Sequence, residues 1–278
     1  MTDLSPDVAA WIGRTREASD VLTGRLVAEY RVTLGTMGTA AAGAVPPGAQ
    51  WLLAPDTLPR EELGRDGHPR PGLVVPKLPL PRRMWAGGEV RTAAGFAAGE
   101  QVSRRSTVAD VAFKEGRSGR LGFVTVNHVY AVGGDERLTE RQDIVYREDP
   151  AGPAPTPAPG EDWSVVAARH ITPDPTLLFR YSALTFNGHR IHYDAPYATS
   201  VEGYDGLVVH GPLQATWMQC LAAEMFGAAA SIFRYRGVSP LTATRPVTVE
   251  ARETDGGLEL RVRRDEDGVV TMQATATR

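Results

Sequence analysis

Between Tyr181 and Pro212 the chain gathers three of its six histidines, an amide and a carboxylate. The stretch contains Asn187-Gly188-His189-Arg190-Ile191-His192-Tyr193-Asp194 and closes on His210-Gly211-Pro212. Imidazole takes up and releases a proton near neutral pH, its reference pKa being about 6.5. A Gly-Pro pair ahead of an apolar run marks the first turn of a helix, where Pro needs no N–H. Titratable groups beside such a terminus make an acid–base site with an anion hole built in.

Plainer roles exist for the same residues. His189 and His192 lie three apart, a spacing that on a helix would also suit a metal pair. Two imidazoles without a further ligand make a poor zinc site, so no metal is expected. Asp194 orients a ring or caps a turn. His210 is expected to hold the loop before the helix by a hydrogen bond. Tyr181 and Tyr204 read as core or tunnel aromatics. Cys220 lies in an apolar helical pattern and reads as a buried, inert thiol. Arg82 and Arg83 read first as a solvated pair, yet guanidinium also grips carboxylates and phosphates bidentately.

The totals narrow the function. A net charge of −3 gives no basic footprint for nucleic acid. A single cysteine rules out an internal disulfide framework. The N-terminus lacks the basic start and apolar run of a signal peptide, and no window reads as a membrane span. The expectation is a soluble cytoplasmic protein of ordinary globular composition, with 42% hydrophobic and 23% charged residues.

The elements that must position these groups follow from periodicity. Residues 7–34 carry apolar residues at helical spacing and predict helix, in one piece or two. Residues 38–81, rich in Gly, Pro and Ala, predict a long irregular segment that lines a site or wraps a surface. Strands are predicted over 102–113, 121–132 and 138–147, with a turn at 114–119. The Pro/Ala run of 149–162 breaks the pattern and reads as a semi-rigid linker. Beyond it come a strand over 163–172 and a helix over 211–226, apolar on nearly every side and therefore buried. Strands follow near 230–235, 247–253, 258–264 and 269–277. The division is residues 1–148, a linker at 149–162, and residues 163–278.

The run Tyr181-Ser-Ala-Leu-Thr-Phe-Asn187-Gly-His189-Arg190-Ile-His192-Tyr-Asp194, with Gly206-Leu-Val-Val-His210-Gly211-Pro, resembles the motif of MaoC-like (R)-specific enoyl-CoA hydratases and 3-hydroxyacyl-thioester dehydratases. Supporting segments are Leu63-Gly-Arg-Asp-Gly-His68-Pro, Leu80-Pro-Arg82-Arg83-Met-Trp85-Ala-Gly-Gly88, Lys114 to Gly119, and Gln142 to Arg147. The chain looks most similar to the branch that hydrates mesaconyl-CoA and itaconyl-CoA. The resemblance implies an α+β double hotdog, antiparallel sheets each wrapped around a central helix. The first unit would supply tunnel wall and the second the chemistry.

The resemblance also implies roles. His192 holds the place of the catalytic histidine. The wider family has Asp, Asn and Pro five, three and two residues before it, where this chain has Asn187, His189 and Arg190. Asn187 cannot exchange a proton but can hold a water. His192 would then serve both proton steps, or His189 would supply the second. The Gly211 N–H would stabilise the enolate oxygen. Arg82, Arg83 or Arg190 would meet a substrate carboxylate or CoA phosphate. No cofactor is implied, CoA being part of the substrate. The partner is an acyl-CoA or acyl-carrier-protein thioester, and the state a monomer or homodimer. Two rivals remain, a hotdog thioesterase and a non-catalytic acyl-thioester binder.

Overall fold

A computed structural model describes residues 4–39, 44–116, 119–149 and 157–278. Its elements in chain order are α1 (Pro6–Ala9), β1 (Thr15–Val21), α2 (Gly24–Leu34), β2 (Arg82–Thr92), β3 (Gln101–Gly116), β4 (Gly119–Val132) and β5 (Asp135–Arg147). The second half supplies β6 (Ala167–Ile171), α3 (Pro175–Thr185), α4 (Ala195–Ser200), α5 (Gly211–Phe226), β7 (Ile232–Gly237), β8 (Val247–Thr254), β9 (Gly257–Arg264) and β10 (Val270–Thr277).

The strands form one antiparallel sheet in the order β1-β3-β4-β5-β2-β7-β10-β9-β8-β6. The first five positions come from the first half and the last five from the second. The seam is β2, which pairs with β5 on one edge and with β7 on the other, Gly87 opposite Arg236 and Arg91 opposite Ile232. Each half lays a helix into its part of the sheet, and the architecture is a double hotdog.

The helix α5 begins and ends where the sequence places it. Every residue from Leu213 to Ala223 is buried, which is why no polar stripe runs along it. In the first half Val27, Tyr30 and Leu34 of α2 join Val90, Val102, Tyr130 and Leu138 of the strands in the core that also holds Leu213, Trp217 and Leu221. One apolar interior therefore runs under both halves. The long strands β3 to β5 outreach α2. Val75, Leu78 and Leu80 of the preceding irregular segment cover the remainder, packing on Val108, Val111, Val124 and Tyr146.

One expectation is corrected, and three elements enter that periodicity did not predict. Residues 7–34 do not form a helix throughout. Thr15 to Val21 pair with β3, Thr15 opposite Thr107 and Val21 opposite Gln101. The Thr23 hydroxyl then accepts the Leu26 N–H at 3.1 Å and starts α2 afresh. The strand β2 was not legible, because Ala86-Gly87-Gly88 carries no β-forming side chain and reads as loop; neighbours on both edges hold it in the sheet. The helices α3 and α4 were not predicted at all.

Residues 150–156 of the expected linker, and 117–118 of the expected turn, lie outside the described residues. The rest of the linker lies on the second half. Pro159 bridges to Val269, and Gly160 N–H donates to the Gly268 carbonyl at 3.0 Å. Trp163 lies beneath the guanidinium groups of Arg252 and Arg261, 4.3 and 4.1 Å from its ring centre. Among the described residues no helix is long and apolar enough to cross a membrane.

Leu221 is fully buried on α5. Leu221→Ala is expected to destabilise the chain by ~2–5 kcal/mol and to lower Tm by roughly 5–15 °C, read by thermal unfolding. A change within a degree would mean that α5 is not the packing centre described.

Candidate active site

The motif loop is shaped by its own polar side chains. The Asp174 carboxylate accepts the Leu177 N–H at 2.7 Å and caps α3. Phe186, with φ 51°, ends that helix in the left-handed region. The Asn187 carboxamide oxygen then accepts the His189 N–H at 3.0 Å, an Asx turn that swings the next residues around. Asp194 caps α4 by accepting the Tyr197 N–H at 3.0 Å. Arg190 donates twice to Asp194 Oδ2, at 3.0 and 2.8 Å, once to the Arg65 carbonyl at 3.1 Å, and lies 4.1 Å over the Tyr197 ring. Asn187, Arg190 and Asp194 are thus spent on the loop, and none of the three lines the adjoining cavity. The structure thus gives Asn187 and Arg190, expected as water holder and substrate cation, loop-shaping partners and a place off the cavity wall. Asp194 acts as cap and ion-pair partner.

His192 is turned inward by the same loop. It is buried, and its Nδ1–H donates to the Val208 carbonyl at 2.7 Å. That bond fixes the tautomer and leaves the Nε2 lone pair toward the cavity. Its ring stacks on His210, 3.6 Å between centres and 19° between planes. His210 is fully buried and shares a 2.8 Å hydrogen bond between Nε2 and the Ser182 hydroxyl, which ties the helix entry to α3. Burial pulls the His192 pKa down to about 3 and holds that of His210 well below its ordinary value. Both rings are therefore neutral at physiological pH.

Gly211 opens α5, whose hydrogen bonding begins with Gln214 N–H to the His210 carbonyl at 3.2 Å. The preceding amide of Gly211 is left for a ligand. A Cβ at this position would sit 2.6 Å from Cε3 of Trp85, so only glycine lets the indole close over the helix start. Trp85 stacks on Tyr235 at 4.5 Å and meets the edge of Trp51 at 5.5 Å.

Two residues that sequence reasoning did not nominate complete the cluster. His68 Nδ1 lies 3.0 Å from Asp66 Oδ2, and the His68 N–H donates to Asp66 Oδ1 at 3.1 Å. Between them Gly67 has φ 86° and presses on the motif loop; a Cβ there would overlap the Gly188 carbonyl oxygen. The Asp66 carbonyl accepts the Arg190 N–H at 2.9 Å. This docking sets the His68 ring 4.1 Å from that of His189, which is 5.3 Å from that of His192. Burial, then the neighbouring His68 and His192, holds His189 far below its ordinary pKa. Burial and Arg83 lower His68 against the opposing pull of Asp66. The signal available in the sequence was an acid and an imidazole flanking a glycine in a turn-rich run, at a distance of more than a hundred residues from the motif.

Asp66, His68 and His189 come close enough to share one ion, their ligand atoms lying within 4.8 Å of one another. Both carboxylate oxygens are already engaged by His68, and the Arg83 Nε stands 3.9 Å from Oδ2. The donor set fits a hydrogen-bonded acid–imidazole pair under a guanidinium better than a cation.

Arg82 and Arg83 are buried or nearly so, not solvated, and they differ. Arg82 is buried in a 2.7 Å ion pair with Glu202 and donates to the Tyr204 hydroxyl at 3.1 Å. Arg83 donates to the Pro69 carbonyl at 2.9 Å and has a buried Nε with no hydrogen-bond partner. Both line a cavity of about 1590 Å³, together with His68, His189, His192 and Gly211. The cavity extends into the first half as far as Arg104, Ser106 and His128. Away from it, burial pushes the Cys220 thiol up to about 12, which leaves it unreactive.

The pattern of hydroxyacyl-thioester dehydratase type 2 matches residues 48–243. The mesaconyl-C(4)-CoA hydratase of Chloroflexus aurantiacus is 40% identical over 277 residues, 98% of each chain. The mitochondrial hydroxyacyl-thioester dehydratase type 2 of Saccharomyces cerevisiae is 23% identical, over 69% of this chain and 71% of its own. Among solved structures, HtdX of Mycobacterium tuberculosis superposes with a TM-score of 0.68 at 18% identity, covering 95% of this chain and 99% of its own. A MaoC-like dehydratase of Phytophthora capsici does so with a TM-score of 0.69 at 15% identity, covering 98% of each. Likeness at these identities fixes the double-hotdog architecture, and the sequence match fixes more: the chain belongs to the hydroxyacyl-thioester dehydratase type 2 family, hydro-lyases acting between enoyl and 3-hydroxyacyl thioesters.

Proposed function

We propose that this chain catalyses reversible hydration of a short dicarboxylic enoyl-CoA, with mesaconyl-CoA as the leading substrate, in the cytoplasm. The observation that carries the reading is His192, buried with its Nδ1–H fixed on the Val208 carbonyl and its Nε2 free, beside the open amide of Gly211. Hydration needs a base to take a proton from the water that attacks Cβ. It needs a donor for the oxygen that gathers charge as the thioester becomes an enolate. His192 Nε2 suits the first task and Gly211 N–H the second, where such a donor contributes about 3–4 kcal/mol to the transition state. The substrate choice is supported by the 40% identical mesaconyl-C(4)-CoA hydratase.

Arg83 suits the free carboxylate of such a substrate. The charge of Arg82 is already met by Glu202 at 2.7 Å, whereas among the described residues Arg83 has only Asp66, at 3.9 Å. The first half would supply this cation and the tunnel wall, the second half the base and the amide. Hydration changes no oxidation state and the thioester activates Cα, so the reading calls for no redox cofactor and no metal.

Mesaconyl-CoA is expected to gain water in the presence of the wild type without release of free CoA thiol. His192→Ala is expected to lower kcat by about 10²–10⁴-fold. Unchanged turnover would remove His192 from the mechanism, and thiol release would favour a thioesterase. A charge-assisted pair contributes about 1.5–3 kcal/mol. Arg83→Gln is therefore expected to raise KM for mesaconyl-CoA by about 10–100-fold while leaving crotonyl-CoA, which has no free carboxylate, nearly unaffected. Equal effects on both substrates would show that Arg83 does not read the carboxylate.

A further inference from the structure

We propose that His68, held by Asp66, is the second proton carrier of this site and passes protons to and from His192 through the ring of His189. The proposal rests on the hydratase reading above and deepens it.

Adding water across a double bond moves two protons, one from water to a base and one from an acid to Cα. The motif loop offers His192 and His189 to the cavity, and among the described residues neither ring is hydrogen-bonded to a carboxylate that would support its proton. Asn187 is an amide already engaged with the His189 N–H. Across from His192 stands the loop of Asp66 and His68, docked by Gly67 against Gly188 and by the Asp66 carbonyl on the Arg190 N–H. The carboxylate orients His68 through Nδ1 at 3.0 Å and leaves Nε2 toward the cavity. A carboxylate behind an imidazole also stabilises the imidazolium when it forms. His189 bridges the two, 4.1 Å from His68 and 5.3 Å from His192 between ring centres, and neither of its ring nitrogens has a hydrogen-bond partner among the described residues.

The step balances as follows. Hydration starts with the mobile proton on His68 and none on His192 Nε2. His192 takes a proton from water, the water oxygen bonds to Cβ, and the π electrons move to the thioester oxygen at Gly211 N–H. The enolate collapses and Cα takes the proton from His68 Nε2. The proton now on His192 returns to His68 by way of His189, each hop carried by a water in the cavity because the rings are stacked and not hydrogen-bonded to one another, and the start is restored. Dehydration runs the same steps backward.

The groups facing His68 are Asp66 on its own loop, Arg83 of β2, His189 of the motif loop and Glu202 beyond α4. Asp66 and Glu202 favour its charged form; burial and Arg83 oppose it. A substrate carboxylate paired with Arg83 cancels that last opposition, so substrate binding itself readies His68. Facing His192 are His189, stacked His210 and, at longer range, His68.

The test uses the full chain and follows mesaconyl-CoA hydration against pH for wild type, His68→Gln and Asp66→Asn, with thermal unfolding of each. As the hydration acid His68 must be protonated, so kcat falls as pH rises through its pKa in the complex. His68→Gln is expected to lower kcat by about 100-fold or more, with KM little changed and the alkaline limb lost. Asp66→Asn keeps the imidazole but removes the charge that supports its proton. It is expected to lose less kcat and to shift the alkaline limb to lower pH. Variants that fold and keep the wild-type kcat and pH profile overturn this proposal alone. So does an Asp66→Asn enzyme slowed equally at every pH, the mark of a merely structural contact. A wild type inert toward mesaconyl-CoA and crotonyl-CoA overturns the hydratase reading and this proposal with it.

Discussion

Four imidazole rings, those of His68, His189, His192 and His210, touch in series inside one largely desolvated space. Two positive charges at such spacing repel by roughly 4 kcal/mol at the effective dielectric of a protein. At rest the cluster can therefore hold about one proton beyond neutrality, a second being carried only while the negative enolate faces it. Burial enforces the same limit ring by ring, since all four pKa values are held down by desolvation first. Most of what surrounds the rings follows from this constraint. The carbonyl of Val208, the hydroxyl of Ser182 and the carboxylate of Asp66 are the hydrogen-bond partners that decide where the ring protons reside.

Holding neutral rings in contact takes a stiff frame, and the frame is mostly backbone. The turn before His189 is set by Asn187, the turn after His192 by Asp194 and Arg190, and the approach of the Asp66 loop by glycine against glycine. Below them α5 is packed on every side, so its first amide cannot drift from the stacked pair of His192 and His210. Trp85 closes the opposite side and is itself fixed by Tyr235 and Trp51. The polar chemistry thus sits on elements whose own hydrogen bonds and packing are complete.

Much of this was legible in the chain before any coordinates. The helix over 211–226 and the strands over 102–147 and 230–277 follow from apolar periodicity and turn residues, because each buries a repeated face. His192, His210 and Gly211 could be found because they are close in sequence and share one motif. Local reading failed where tertiary neighbours decide. Gly87 and Gly88 form a strand only because β5 and β7 flank them. Residues 15–21 leave helix for the edge of β3. Asn187 and Arg190 have the chemistry of site residues, and only the fold shows them spent on loop geometry. His68 lies far from His189 in sequence and meets it by a backbone contact that no spacing rule encodes.

The seam at β2 bears on how a ligand the size of a CoA thioester comes and goes. With β5 bonded along one edge and β7 along the other, the two halves share an unbroken run of peptide hydrogen bonds. Clamshell opening of the two halves would tear the sheet between β2 and β7. The cavity walls that are not strands include residues 201–205 after α4 and 238–242 after β7, which can shift without breaking the sheet. Arg82 reaches from β2 to Glu202 and Tyr204 in the first of these walls, and Thr242 of the second bridges to Val208. In many enzymes the opening of such loops, and not the chemistry, sets turnover.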